Sequence, residues 1–404
     1  MILIKNANII TMANTGYSSG YLLCVGNQIR DLGSMAECPS EEVLKVLKEE
    51  AKDDKQTLIV IDANGKNVYP GLIDAHCHVG MQEDGVGTEG EDLNEDTDPL
   101  TPHIKAVDGI YYMDRSFNDA CEAGVTTCVT GPGSANAIGG VFAAIKTDNR
   151  DISQMLLKEN AAMKFAFGQN PKFVYGDKKV TPTTRMATVA LMREILEETG
   201  EYAQKLKRYE ENSDEEEKPD FDIKKEALLP VLKGELPVKA HAHRADDILT
   251  AIKLSKRYGF HLTLEHATEG HLIADCLSAE NVGVIYGPII TERCKTELKN
   301  HTAKTPGILA DKGIEIAIMT DHPCVPIQYL ALSAMVAVKN GMDYEKALRA
   351  ITITAANLAG ISDRVGTLEV GKDADIIITD GDILELKTNI LYTIINGEIA
   401  YERK

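Results

Sequence analysis

The sequence predicts an α/β protein: a (β/α)8 TIM-type barrel with a small β domain built from both chain ends. Three observations lead there. Short apolar runs recur through the middle of the chain, with helical patterns between them. Four of those runs end in histidine or aspartate. The two chain ends share a different, β-rich style. At 404 residues with 44% hydrophobic residues, the chain can form a large barrel core and still leave a second domain.

Residues 1–68 alternate short β runs at 2–5, 7–11, 21–25 and 58–62 with turns such as Gly26-Asn27 and Asn64-Gly65. Residues 361–404 resume that style at 374–379 and 390–397. Neither end has enough strands for a stable sheet alone, so the two are expected to pair into one β domain beside a barrel spanning 69–360. The run Glu41-Glu-Val-Leu-Lys-Val-Leu-Lys-Glu-Glu50 reads as an inserted helix, solvated on one side. Barrel strands are expected at 71–77, 124–130, 141–146, 162–167, 236–242, 260–266, 282–287 and 314–320. Only about ten residues separate the second and third, too few for a crossover helix. Either that barrel unit is degenerate or one strand is misassigned. Residues 187–234 form an excursion, a helix from Met186 followed by an acidic loop from Glu210. The acidic stretch reads as solvated.

The run Tyr69-Pro-Gly-Leu-Ile-Asp-Ala-His-Cys-His78 is the most informative in the chain. Side chains alternate along a strand, so His76 and His78 share a face and Cys77 takes the other. Two neutral imidazoles converging on one point are the start of a metal site. Three more strand ends supply candidate partners: His241 and His243 in Lys239-Ala-His-Ala-His243, His266 in Leu264-Glu-His266, and Asp321 in Met319-Thr-Asp321. In a barrel all of these fall at the C-terminal strand ends, where barrel active sites lie.

In this order the motifs resemble the amidohydrolase superfamily of metal-dependent hydrolases, and within it the imidazolonepropionase-related group. The resemblance rests on Pro70-Gly-Leu-Ile-Asp-Ala-His-Cys-His78, Gly124-Val-Thr-Thr127, Pro132-Gly-Ser-Ala-Asn136, His241-Ala-His243, Glu265-His266, Thr320-Asp321 and Gly366-Thr-Leu-Glu-Val-Gly-Lys-Asp-Ala-Asp375. It spans nearly the whole chain and implies that the terminal β domain is a composite β-sandwich. It also implies that His76, His78, His241 and Asp321 hold a divalent metal. Imidazole and carboxylate suit zinc, with manganese or iron as alternatives. Such a metal lowers the pKa of water towards ~7 for attack on an amide or cyclic-amide C–N bond. Asp321 would shuttle the proton to the leaving group. His266 would ligate a second metal or donate to the substrate oxygen.

Whether one metal or two is expected turns on Lys164. Met163-Lys-Phe-Ala-Phe-Gly168 resembles the context of a carboxylated, bridging lysine in related binuclear dipeptidases. However, Gln169 stands where the resemblance calls for glutamate, which favours a single metal. Ring deaminases and true imidazolonepropionases carry His-Ala-x-Glu, whereas this chain has Arg244, which cannot cycle protons near neutral pH. A dipeptidase or N-acyl amino acid hydrolase fits His-Ala-His better. Arg244 is expected to pair with Asp246 or Asp247. A non-catalytic scaffold is disfavoured because all five ligand-type residues are present. His243 is a candidate substrate contact, as are Ser134 and Asn136 in the glycine-rich loop 131–140. That loop lacks the Lys-Ser/Thr of a nucleotide-phosphate loop. Residues 81–108 are a candidate lid, with His103 at the surface.

A net charge of −19 opposes nucleic acid or anionic membrane as partners and leaves a small-molecule substrate, with homo-oligomerisation open. Eight scattered cysteines without a CxxC pair suit a reducing compartment, with Cys77, Cys121, Cys128 and Cys276 read as core. The N-terminus lacks a basic, then apolar, leader, and no apolar run approaches ~18 residues. The expectation is a cytoplasmic enzyme.

Overall fold

Two eight-stranded sheets organise the chain. The computed structural model describes residues 1–50, 58–85, 87–148, 150–214 and 216–404. The N-terminal part supplies β1 (Ile2–Ile9), β2 (Tyr17–Val25), β3 (Gln28–Ser34), β4 (Ile59–Asp62) and β5 (Asn67–Pro70). The middle supplies β6 (Leu72–Cys77), β7 (Val125–Thr130), β8 (Ile138–Lys146), β9 (Leu156–Ala166), β10 (Val238–Ala242), β11 (Leu262–His266), β12 (Val284–Tyr286) and β13 (Ile316–Ile318). The C-terminal part adds β14 (Ile376–Thr379), β15 (Ile390–Ile395) and β16 (Glu398–Glu402).

The first sheet runs β16-β15-β14-β5-β1-β2-β3, with β4 also paired to β1, so both chain ends build it. Its join is the antiparallel pairing of β14 with β5, Ile377 opposite Tyr69. The inserted helix Glu41–Glu50 lies as expected, with Leu44 buried and Val43 and Val46 exposed. A buried ion cluster ties this region to the barrel. Lys146 Nζ at the end of β8 donates to Asp373 Oδ2 at 2.8 Å and Asp375 Oδ2 at 2.6 Å.

The second sheet runs β6 to β13 in chain order. The bonds His78 N to His322 O (3.0 Å) and Asp321 N to His76 O (3.3 Å) bring its two edges together in a nearly closed barrel. All of β6, β7, β10, β12 and β13 is buried, as strands covered on both faces must be. The short link before the third strand has a simple cause: β8 runs antiparallel to both β7 and β9, so no crossover helix is needed. All eight expected strands exist, and the degenerate unit is the correct alternative.

Helices cover the barrel. In Ala245–Tyr258, Ile248, Ala251 and Ile252 are buried at helical spacing, and Gly259 ends the helix with φ 76°. In the excursion after β9 one helix runs Arg185–Glu211, with the acidic stretch after it as expected, and a second helix, Ile223–Leu232, was not expected. Glu215 of that acidic run and Val86 of the long loop lie outside the described residues. Cys77, Cys121 and Cys128 are buried, but Cys276 is exposed on the helix Ala274–Glu280, which corrects its reading as core. Among the described residues, no helix is long and apolar enough to cross a membrane.

Candidate metal centre

The C-terminal ends of β6, β10, β11 and β13 bring the singled-out residues together. Ligand atoms of His76, His78 and Asp321 lie within 4.8 Å of one another, as do those of His241, His243 and His266. The two groups adjoin, with the His76 and His266 rings 5.9 Å apart and the His241 and His266 rings 4.4 Å apart. His266 and Asp321 hold left-handed backbone, φ 71° and 54°, where non-glycine residues are strained. That strain turns each side chain towards the site as its strand ends.

The tautomers follow from the hydrogen bonds. His78 Nδ1 lies 2.7 Å from the Gly131 carbonyl and His266 Nδ1 lies 2.8 Å from the Gly287 carbonyl. A carbonyl only accepts, so both Nδ1 atoms carry the proton. His76 Nδ1 is 2.6 Å from Glu265 Oε2, which also accepts from Lys239 Nζ at 3.3 Å. The neutral rings therefore present Nε2 lone pairs to the cavity. His78 Nε2 faces Asp321 Oδ1 at 3.3 Å and His76 Nε2 faces it at 3.6 Å. Lone pairs and a carboxylate converging in this way repel unless a cation lies between them. His241 Nε2 is buried without a partner, while its Nδ1 meets Ser134 Oγ at 3.0 Å. The donor set thus fits a divalent metal ion.

Electrostatics agree. Burial, reinforced by Lys164, Lys239 and His78, holds His76 well below the usual histidine value. Burial and the neighbouring His266 and His243 do the same to His241. His266 falls to about 4, chiefly through burial. Burial alone would raise the Asp321 carboxyl; positive charge at the His266, His78 and His76 positions outweighs this and holds it below the usual carboxylate range, and a metal ion held by the same rings would act in the same sense. Lys164, fully buried on β9, places Nζ 3.4 Å from His76 Nε2 and 5.4 Å from the Phe142 ring centroid. Burial lowers its pKa to about 8.

Some expected contacts lie elsewhere. The Asn136 side chain donates to Glu95 O (2.6 Å) and Thr101 Oγ1 (2.7 Å) and accepts from Tyr175 OH (2.5 Å), so it braces the loop after β6 rather than facing the cavity. Ser134 does line the cavity. His243 lies with His241 and His266, its Nδ1 2.8 Å from Thr268 Oγ1. Arg244 pairs with Asp246 through two bonds of 2.9 Å.

Sequence reading missed several supporting groups. Asp74, two residues before His76 on the same strand face, accepts from His76 N (3.2 Å), Thr320 N (3.1 Å) and Thr320 Oγ1 (2.5 Å), joining the segments that carry His76 and Asp321. Burial raises it to about 7. Lys239, two before His241, supports Glu265. Strand alternation could have found both. Glu297, from the loop after β12, is buried with Oε1 3.7 Å from His243 Nε2, and its other oxygen accepts from Gln169 N at 3.0 Å. No local sequence signal marks it.

A cavity of about 340 Å³ opens over the cluster, lined by His78, His241, His266 and Asp321 below and by Asn94, Phe173, Lys295 and Pro323 among its walls. A nearly closed barrel with a buried histidine–aspartate cluster under a cavity at its C-terminal strand ends is a barrel protein with a candidate metal centre. The profile of the amidohydrolase family matches residues 67–400. The chain belongs to the amidohydrolase family. The solved structure of an amidohydrolase from Thermotoga maritima superposes with a TM-score of 0.90 at 36% identity, covering 100% of both chains. Amidohydrolase tasK of Hapsidospora irregularis is 27% identical over 375 residues, 87% of this chain and 38% of that protein. The imidazolonepropionase of Brucella suis biovar 1 is 32% identical over 168 residues, 40% of this chain and 38% of that protein. The chain thus matches well under two thirds of the length of these two curated relatives.

Proposed function

We propose that the protein is a metal-dependent hydrolase that cleaves an amide or cyclic-amide C–N bond of a small molecule. The observation that carries this reading is the set of Nε2 lone pairs and the Asp321 carboxylate converging beneath the cavity. His76, His78, His241, His266 and Asp321 would hold the metal, zinc or else manganese or iron. When bound, the ion supplies Lewis acidity and lowers the pKa of water towards ~7.

The chain's own groups do the rest. Asp321, ionised at neutral pH and at the cavity floor, accepts the proton of the attacking water and delivers it to the departing nitrogen. Glu265 fixes the orientation of His76, as the Gly131 carbonyl fixes His78. His266 has committed its one proton to Gly287, which favours a ligand role over donation to the substrate. Lys164 supports two metal positions over the single one that Gln169 suggested. An ammonium 3.4 Å from His76 Nε2 opposes a cation there, whereas a carboxylated lysine would hold two.

Arg244 is tied to Asp246, which weighs against a ring deaminase using that position as its acid. A cytoplasmic location is part of the same proposal. The test is turnover of a panel of N-acyl amino acids, dipeptides and cyclic ureides by zinc- and manganese-loaded protein, read as release of amine or ring opening. Absence of turnover across a panel loaded with either metal would overturn the reading.

A further inference from the structure

One wall of the cavity carries a cation that donates to a neutral amide. Lys295 lines the cavity, and among the described residues lining it the only other charged one, apart from the histidines, is Asp321. Its Nζ donates to Asn170 Oδ1 at 3.0 Å, a neutral amide. Among the described residues, no carboxylate forms an ion pair with it. An ammonium has three donors, and that single bond leaves two for a ligand.

The position is built rather than incidental. Leu298 N bonds to Lys295 O at 2.9 Å, closing the turn Thr296–Leu298, in which Glu297 and Leu298 are buried. Glu297 accepts from Gln169 N, the residue before Asn170 on the helix Gln169–Asp177. Two contacts therefore join the loop after β12 to the start of that helix, one through Glu297 and one through Lys295 itself. The ammonium is held in advance of any ligand, which lowers the entropy lost on binding. Its charge reaches the floor, where it adds to burial and neighbouring histidines in holding His241 and His243 neutral. The remaining walls include Leu93, Phe173, Val174 and Pro288, so the cavity offers one anion-binding point in a largely apolar surround.

We propose that Lys295 is the specificity-determining residue of this cavity and binds a carboxylate on the substrate. This rests on the hydrolase reading and narrows it to small amides with a free carboxylate and an apolar side chain, the N-acyl amino acids and dipeptides. Asp321 and the histidines meet the scissile amide at the floor while the carboxylate meets Lys295 and the Asn170 amide at the wall.

The test compares free acids with their carboxamides: N-acetyl-leucine, N-acetyl-methionine, N-acetyl-phenylalanine and glycyl-leucine against the four matching amides, on metal-loaded protein. Wild type is expected to prefer the acids in kcat/KM by about 10- to 100-fold, the range of a charge-assisted hydrogen bond. Lys295→Met is expected to bring that ratio close to one, and Lys295→Arg to retain part of it. Equal use of acids and amides by wild type, or an unchanged ratio in Lys295→Met, overturns the proposal and leaves the hydrolase reading intact. If no pair is turned over, calorimetric binding separates the two ideas. Acid-selective binding lost in Lys295→Met supports the carboxylate site, and the amide-hydrolase reading falls separately, on absence of turnover across the full panel with cyclic ureides. Binding without acid selectivity overturns the carboxylate site.

Discussion

Lys164 offers the sharpest test of the metal centre. At pH 7 a lysine titrating at 10.5 is about 0.03% neutral, whereas one lowered to about 8 is about 9% neutral, roughly a 300-fold gain in the form that reacts with carbon dioxide. The direction follows from burial, which penalises the ammonium, so the neutral fraction grows as pH rises through about 8. The reaction joins the amine nitrogen to the carbon of carbon dioxide and releases one proton, leaving a carbamate anion. The electrostatic demand is larger than the cost of that proton. Two unit charges about 4 Å apart at an effective dielectric of about 20 interact by roughly 4 kcal/mol, and a doubly charged ion doubles this. Removing a proton at pH 7 from a group of pKa about 8 costs only about 1.4 kcal/mol. An ammonium 3.4 Å from His76 Nε2 should therefore be lost when metal is present.

The assay is elemental analysis of protein loaded with zinc in bicarbonate, with labelled bicarbonate followed by carbon NMR. Wild type is expected to hold about two metals per chain and to show a carbamate signal, the two ions being under ~4 Å apart in a crystal. Lys164→Ala should hold about one, with partial recovery in a short carboxylic acid that fills the vacated space. Signal and metal content should both rise from pH 6 to pH 8.5. A wild type with one metal, no carbamate signal and an unchanged count in Lys164→Ala would refute the reasoning.

Other outcomes follow from the same geometry. His76→Ala/His78→Ala should lose most bound metal, and an unchanged content on elemental analysis would remove those residues as ligands. Asp321→Asn should keep its circular dichroism spectrum but lose about 10²- to 10⁴-fold in turnover, the usual weight of a positioned proton carrier, and near-normal rates would exclude it from proton transfer. Glu265→Gln should weaken metal binding about 10- to 100-fold in a chelator competition, because His76 loses its charged Nδ1 partner. Lys146→Met leaves the buried Asp373 and Asp375 carboxylates without their shared cation and should cost about 3–5 kcal/mol in denaturant unfolding. A loss under about 1 kcal/mol would show that Arg364, bonded to Asp373 at 2.7 Å, carries the cluster alone.

The parts of this protein that were legible in the sequence are those written in short-range periodicity. His76 and His78 could be placed on one face because strand side chains alternate, and Asp321 and His266 because apolar runs end where barrel strands end. The hairpin arrangement of β8 was half legible. The short link from Gly131 to Gly140 excluded a crossover helix but did not fix the strand direction, which depends on pairing with β9 and hence on residues 156–166. Cys276 misled because a helix can bear a cysteine on either face, and only packing decides which. Asn136 misled because a glycine-rich loop shows that backbone is free to approach a ligand, not which side chain does so. Its amide is taken by Glu95, Thr101 and Tyr175.

Glu297 and Lys295 were illegible for a deeper reason. Nothing near them in the sequence marks chemistry, and their environment comes from a helix starting some 125 residues earlier. The metal-centre motifs are local because ligand spacing must follow the strand repeat, which any member of this fold has to respect. The wall facing the substrate has no such constraint, since loops of any register can reach it. An acid at position 169 is missing from this chain, yet a carboxylate is supplied nearby by Glu297, which bonds the backbone of Gln169 rather than replacing its side chain. The same loop sets the cation of Lys295 beside Asn170. The cation on this wall is thus set by loop residues that supply none of the five candidate metal ligands. On that account selectivity for charged substrates should follow the 291–298 loop, and grafting this segment should move the acid-to-amide ratio without moving metal content.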